Sequence, residues 1–193
     1  MPFNLPNALT WLRILAIPLL VVVFYVPEKW LTLHERNLIA AALFAAAAVT
    51  DWLDGYLARR LNQMSAFGAF LDPVADKLMV AAALIVLLEL QRLEAIVAII
   101  IIGREIAISA LREWMAKLGK AKSVAVNLSG KIKTASQLIA IPMLLYYDRI
   151  GGWFDPFYIG TWLIYLAATL TIVSMLYYLK LAGPHAFGTS EHA

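Results

Sequence analysis

Apolar residues in this chain occur in six long runs that are separated by short polar breaks. Each run has about 20 residues, which at 1.5 Å of rise per helical residue matches the roughly 30 Å hydrocarbon core of a bilayer. The pattern therefore predicts an all-α integral membrane protein with six transmembrane helices and a short amphipathic segment at the N-terminus. The predicted helices cover residues 8–26, 38–60, 67–90, 93–118, 129–147 and 157–181. We expect one membrane domain over residues 1–182 and a mobile C-terminal tail over residues 183–193.

The composition agrees with a membrane protein and excludes several kinds of site. Of the 193 residues, 62% are hydrophobic and 15% are charged, whereas soluble domains average about 25% charged residues. The chain has no cysteine, which excludes disulfides, thiolate chemistry and cysteine-based zinc sites. The net charge is +3, and the basic residues lie at the ends of apolar runs. They form no basic stripe, so we expect no nucleic-acid partner.

Basic residues predict the orientation of the six helices. They are concentrated near the N-terminus, after the second and fourth runs and at the end of the sixth. By the positive-inside rule, both termini and the loops after the second and fourth helices face the cytoplasm. The basic residues on that side are Arg13, Arg59, Arg60, Lys117, Lys120, Lys122, Lys131, Lys133 and Lys180.

Four aspartates interrupt the second and third apolar runs. At 100° per residue, the aspartates of each run fall on one face of their helix together with small residues. The two faces comprise Asp51, Asp54, Gly55 and Ala58 on the second helix, and Gly68, Asp72 and Asp76 on the third. A short link between the helices allows these faces to meet at shallow depth on the cytoplasmic side.

Carboxylates gathered in an apolar setting require a neutralising cation or protonation. Hard oxygen ligands suit Mg²⁺, Mn²⁺ or Ca²⁺, so the four aspartates are predicted to form a metal site. For Asp72 alone, helix capping is an alternative, because Pro73 follows it and proline is common at the first helical position. Capping does not explain Asp51 or Asp54, which lie inside a run of membrane length.

Small residues beside the aspartates predict a groove. Gly55, Ala58 and Gly68 let a nucleotide or phosphate approach the backbone, although small residues also permit close helix packing. Arg59 lies one turn beyond Gly55 and could reach a phosphate. Thr10 and Arg13 lie on one face of the first helix, which could look into the same cavity.

A second group of basic residues lies on the fourth and fifth helices. Arg104 and Arg112 are eight residues apart and share a helix face, and Lys131 and Lys133 open the fifth helix. Because the guanidinium fork suits phosphate, Arg104, Arg112 and Lys131 are predicted to bind an anionic substrate. Contact with anionic lipids is the alternative.

The aspartate motif resembles that of a known family, the CDP-alcohol phosphotransferases. Its spacing is D-x-x-D-G-x-x-A-R, eight residues, then G-x-x-x-D-x-x-x-D, and every position is met. One branch of the family is similar over about residues 3–180. The segments that carry this wider likeness are 7–13, 67–77, 104–106, 109–115 and 129–134.

The resemblance implies a homodimeric enzyme of the bacterial inner membrane with its active site on the cytoplasmic side. It implies transfer of the phosphatidyl group from CDP-diacylglycerol to sn-glycerol 3-phosphate, with release of CMP. In the family pattern the four aspartates bind Mg²⁺ or Mn²⁺, with two ions as the expectation, and the last aspartate, here Asp76, is the general base. The nucleotide site then comprises Gly55, Ala58, Arg59, Gly68 and Thr10, and the acceptor phosphate site comprises Arg104, Arg112 and Lys131.

Two alternatives remain open at this point. Other members of the family use serine, inositol phosphate or phosphatidylglycerol as the acceptor, and the aspartate motif does not distinguish among them. Aspartates embedded in a membrane also occur in cation transporters. A transporter explains the carboxylates but leaves Gly55, Ala58 and Arg59 without a role.

Overall fold

The computed structural model describes residues 5–60, 66–117, 119 and 128–186. Side chains are described for residues 8–51, 53, 68, 70–117, 119 and 132–180. This part of the chain is helical throughout, apart from turns and one isolated bridge between Ile150 and Phe154. The helices are α1 (Leu5–Val22), α2 (Leu33–Arg60), α3 (Ala66–Glu89), α4 (Ala95–Lys117), α5 (Leu128–Tyr146) and α6 (Pro156–Ala186).

These helices confirm the predicted all-α class, and their ends agree with the predicted ends within five residues. α2 begins earlier than predicted because of a reciprocal cap. Glu35 accepts hydrogen bonds from the backbone N–H and hydroxyl of Thr32, at 2.7 and 2.8 Å, while the Glu35 N–H donates to the Thr32 hydroxyl. This arrangement is a capping box, and its T-x-x-E signature is visible in the sequence.

The chain termini lie partly outside the described residues. Residues 1–4 and the side chains of residues 5–7 are outside, so the predicted N-terminal amphipathic segment is not described. α6 continues to Ala186, four residues past the predicted end of the membrane domain. The rest of the predicted tail, residues 187–193, is outside the described residues.

Capping is the wrong explanation for Asp72. α3 begins at Ala66, so Pro73 lies inside the helix and Asp72 is not at its N-terminus. Pro18 of α1 and Pro142 of α5 are also internal. Each proline removes one backbone donor from its helix.

The helices pack around one main apolar core. α1 packs against α2 and α3, α2 packs against α5, and α6 contacts α4 and α5. α6 approaches α5 closely at Gly160, where an added Cβ would lie 3.1 Å from Leu144 and Met143 and 3.2 Å from the carbonyl oxygen of Ala140. The small residue therefore permits this close contact between the two helices.

A buried arginine closes the end of the bundle where α3 and α4 are joined. Arg92 donates to the carbonyl of Leu145 and to Asn37 Oδ1, both at 2.8 Å, and its guanidinium lies 4.2 Å from the ring centre of Tyr147. Its donors satisfy carbonyls at the C-terminus of α5, which have no helical partner. This contact ties the α3–α4 turn to α2 and α5.

Two of the described helices are long and apolar enough to cross a membrane by length and composition, over Ala8–Tyr25 and Pro156–Lys180. Charged residues interrupt the apolar runs of the others, such as Asp76 in α3 and Arg104 in α4. The six predicted spans are therefore not confirmed by this criterion. Large apolar side chains are nevertheless exposed along the outer faces of the helices, including Leu15 and Leu19 of α1 and Leu176 of α6.

Candidate active site

Three helices contribute to a cluster in which the start of α1 contacts three of the four predicted aspartates, Asp51, Asp72 and Asp76. Nη1 of Arg13 lies 3.0 Å from Oδ1 of Asp51 and 2.5 Å from Oδ1 of Asp76. The Thr10 hydroxyl donates to Oδ1 of Asp72 at 2.5 Å. Thr10 and Arg13 are three residues apart and so lie on the same face of α1. That face meets Asp51 of α2 and Asp72 and Asp76 of α3.

The geometry places a positive charge between two carboxylates. Arg13 is only 1% exposed, whereas the side chains of Asp51 and Asp76 are 44% and 42% exposed. Both carboxylates reach the same guanidinium nitrogen, so their oxygens lie close to one cationic position. This donor set fits a divalent cation such as Mg²⁺ or Mn²⁺.

The predicted metal site is only partly within the described side chains. Among these, no group of three or more His, Cys, Asp or Glu residues is arranged to hold an ion. Asp54, the fourth predicted ligand, lies outside them. The four-aspartate metal site therefore stays a prediction.

A cavity of about 270 Å³ opens beside Arg13, Asp51 and Asp76. It combines acidic, basic and amide side chains with an apolar wall from α2, α3 and α5. Its lining residues are Arg13, Phe44, Ala47, Ala48, Asp51, Pro73, Asp76, Lys77, Met79, Val80, Glu105, Thr134, Gln137 and Leu138. The predicted acidic site thus adjoins a space that can receive a small molecule.

Glu105 of α4 lines this cavity and is held by two cations. Its carboxylate accepts hydrogen bonds from Nζ of Lys133, which is buried, and from Nη1 of Arg104 at 3.3 Å. Nη2 of Arg104 lies 3.3 Å from the Ser174 hydroxyl of α6. Arg104 therefore links α4 to α6 and reaches the cavity only through Glu105.

The structure describes the predicted acceptor phosphate residues only in part. Arg104 is buried against Ser174, and the guanidinium of Arg112 lies 5.8 Å from the ring centre of Tyr178. Neither arginine lines the cavity. The side chain of Lys131 lies outside the described residues.

The predicted nucleotide site is described only in part. Gly68 is buried in α3, and Thr10 contacts Asp72. The remaining predicted residues have described backbone in α2 but side chains outside the described part of the chain. These are Gly55, Ala58 and Arg59.

Comparison with known proteins identifies the family. The family model of CDP-alcohol phosphatidyltransferases matches residues 3–173. The chain belongs to the CDP-alcohol phosphatidyltransferase family. This confirms the resemblance that the aspartate motif carries.

The chain is also similar to curated members of this family over nearly its whole length. Three of these relatives, from Salmonella choleraesuis (strain SC-B67), Shigella flexneri and Escherichia coli (strain K12), are each 50% identical over 184 residues. The match covers 94% of this chain and 96% of each relative. All three are named CDP-diacylglycerol–glycerol-3-phosphate 3-phosphatidyltransferase.

The structure places three residues at this family site that were not among the predicted site residues: Arg13, Glu105 and Gln137. The sequence predicted that Arg13 and Thr10 could look into the cavity, but not that Arg13 pairs with the aspartates, although a charge inside a membrane-length apolar run is a strong functional signal. The same signal applies to Glu105. Gln137 lines the cavity from α5, but a single glutamine among apolar residues gives no pattern that a motif search detects.

Proposed function

We propose that this protein transfers the phosphatidyl group of CDP-diacylglycerol to sn-glycerol 3-phosphate, forming phosphatidylglycerophosphate and CMP. The observation that carries the proposal is the 50% identity, over 94% of the chain, to relatives named for this reaction. The contacts of Asp51 and Asp76 beside a cavity of about 270 Å³ supply the matching chemistry.

Asp76 is the proposed general base. It accepts the proton of the glycerol C1 hydroxyl as that oxygen attacks the lipid-linked phosphorus of CDP-diacylglycerol. The new P–O bond forms as the bond from the same phosphorus to the CMP oxygen breaks, so CMP leaves with the electron pair. We expect direct in-line transfer with inversion at phosphorus. No covalent enzyme intermediate is required.

Asp51, Asp54, Asp72 and Asp76 are the proposed ligands of one or two divalent cations. A bound Mg²⁺ or Mn²⁺ supplies charge neutralisation for the pyrophosphate and for the CMP leaving group. The approach of Asp51 and Asp76 to one nitrogen of Arg13 supports this assignment, because the same oxygens already face a positive charge. Thr10 orients the Asp72 carboxylate through its hydrogen bond.

The nucleotide is proposed to lie over the α2 and α3 faces that carry the small residues. Gly55, Ala58 and Gly68 leave room for CDP-diacylglycerol, Arg59 contacts a phosphate, and Thr10 borders the site. The acceptor phosphate is assigned to Arg104, Arg112 and Lys131. The buried Nε–H groups of both arginines have no partner among the described residues, so each retains a donor for an anion.

The chain is proposed to span the bacterial inner membrane six times as a homodimer. Residues 1–182 form the membrane domain, residues 183–193 form the tail, and both termini and the active site face the cytoplasm. The apolar outer faces of the helices and the basic residues near one set of helix ends support this arrangement. The site is then open to a soluble acceptor and to a lipid head group of the inner leaflet.

The test is CMP release by the purified protein with CDP-diacylglycerol and Mg²⁺. Glycerol 3-phosphate, serine, inositol phosphate and phosphatidylglycerol are offered separately, with one sample lacking an acceptor. Release with glycerol 3-phosphate alone is the expected result. Release with another alcohol contradicts the acceptor but keeps the family reaction, and no release with any alcohol contradicts the transferase.

A further inference from the structure

The α5 wall of the cavity contains a buried polar group that the proposed mechanism does not use. Gln137 lines the cavity and is only 5% exposed. Its side-chain oxygen, Oε1, has no hydrogen-bond partner among the described residues. Because a buried acceptor without a donor is costly, such an atom in a cavity wall indicates a missing ligand.

The neighbouring groups indicate the chemistry of that ligand. The amide oxygen of Gln137 and the carboxylate of Glu105 are hydrogen-bond acceptors, and both line the same cavity as Asp76. On this wall the ammonium of Lys133 is already paired with Glu105. This wall therefore suits a hydroxyl donor better than a phosphate.

We infer that Gln137 Oε1 accepts a hydrogen bond from the C2 hydroxyl of the acceptor alcohol. This inference rests on the proposed function, in which the C1 hydroxyl of glycerol 3-phosphate donates its proton to Asp76. The adjacent C2 hydroxyl then needs an acceptor in the same cavity, and Gln137 supplies one. The contact holds the alcohol so that its C1 oxygen faces the phosphorus.

The same contact makes Gln137 a specificity determinant. An alcohol without the C2 hydroxyl leaves Oε1 unpaired in the bound state. Sites that hydrogen-bond a substrate hydroxyl discriminate strongly against analogues that lack it. We therefore expect glycerol 3-phosphate to be favoured over 3-hydroxypropyl phosphate, which differs only by that hydroxyl.

The experiment compares these two alcohols with the wild-type protein and Gln137→Met. Methionine keeps the length of the side chain and removes its polar atoms. The wild-type protein should favour glycerol 3-phosphate by about 10-fold in kcat/KM or more. In Gln137→Met the ratio of kcat/KM for glycerol 3-phosphate to kcat/KM for 3-hydroxypropyl phosphate should fall close to one, because the variant reacts more slowly with glycerol 3-phosphate. Ser136→Ala is the matched control, because Ser136 is buried on α5 but does not line the cavity, and its ratio should stay at the wild-type value.

Thermal unfolding gives a readout that is independent of turnover. Glycerol 3-phosphate should raise the melting temperature of the wild-type protein more than that of the Gln137→Met variant. An equal rise in the melting temperature of both proteins would overturn the inference.

The outcomes separate this inference from the proposed function. If the wild-type protein uses both alcohols equally, or if Gln137→Met keeps the wild-type ratio, the inference fails and the transferase stands. If the wild-type protein releases CMP with neither alcohol, the proposed function fails and the inference fails with it.

Discussion

Arg13 is the buried cation that faces Asp51 and Asp76. Its guanidinium compensates two carboxylates that would otherwise repel each other where α2 and α3 meet α1. The divalent cation proposed at the same carboxylates would provide the same compensation. The charge balance of the site without metal therefore depends on Arg13.

Replacing Arg13 with methionine should destabilise the metal-free protein. The expected cost is about 1–3 kcal/mol, below that of a fully buried pair, because both carboxylates are partly exposed. Mn²⁺ should raise the melting temperature of Arg13→Met more than that of the wild-type protein, because the metal replaces the missing positive charge. Thermal unfolding in detergent with EDTA and with Mn²⁺ measures this difference. An equal rise in the melting temperature of both proteins would contradict the idea that Arg13 and the metal compensate the same carboxylates.

Asp76 should be distinguishable from Asp51 by substitution with asparagine. Asn keeps the shape of the side chain but cannot accept the proton, so Asp76→Asn should lower kcat by about 10²–10⁴-fold. Binding of CDP-diacylglycerol should change little. Asp51→Asn should mainly raise the Mg²⁺ concentration that half-maximal activity requires. Near-normal kcat in Asp76→Asn would show that another group is the base.

At the scale of the helices, Gly160 allows α6 to pack closely against α5. Gly160→Ala places a methyl group 3.1–3.2 Å from three neighbouring atoms, one of which is a backbone oxygen. We expect this overpacking to cost about 1–3 kcal/mol. Gly103→Ala is the matched control, because its added methyl group meets nothing within 4 Å. That variant should gain up to about 1 kcal/mol from helix propensity.

Melting temperatures of the two glycine variants test this packing. For a chain of this size, 1 kcal/mol corresponds to roughly 2–4 °C. Gly160→Ala should melt below the wild-type protein, and Gly103→Ala at or above it. The opposite order would mean that α5 and α6 separate easily at this point.

Helix positions were more predictable from sequence than side-chain partners. Apolar runs of membrane length give each helix to within five residues, and the early start of α2 follows from Thr32 and Glu35. The pairing of Arg13 with Asp51 and Asp76 could not be predicted, because it depends on how α1 crosses α2 and α3. Arg104 illustrates the same limit. Its position on a helix face does not show whether its guanidinium contacts a ligand or, as in the structure, Ser174 of a neighbouring helix.

At the scale of the whole molecule, the absence of cysteine allows a direct test of orientation. Trp153 and Lys117 are both highly exposed and lie at opposite predicted sides of the membrane. In intact cells with a permeabilised outer membrane, a membrane-impermeant maleimide should label Trp153→Cys but not Lys117→Cys. Inverted inner-membrane vesicles should give the reverse. Labelling of both variants from one side would contradict six spans with a cytoplasmic active site.

Transfer of the phosphatidyl group to glycerol 3-phosphate at the aspartate site is the central claim. It is tested most directly by following ³²P-labelled glycerol 3-phosphate into chloroform-soluble lipid alongside CMP release by the purified protein. We predict that labelled lipid and CMP form in a one-to-one ratio, that EDTA stops both and that Mg²⁺ restores both. CMP release without labelled lipid, or transfer that continues in EDTA, would contradict this claim.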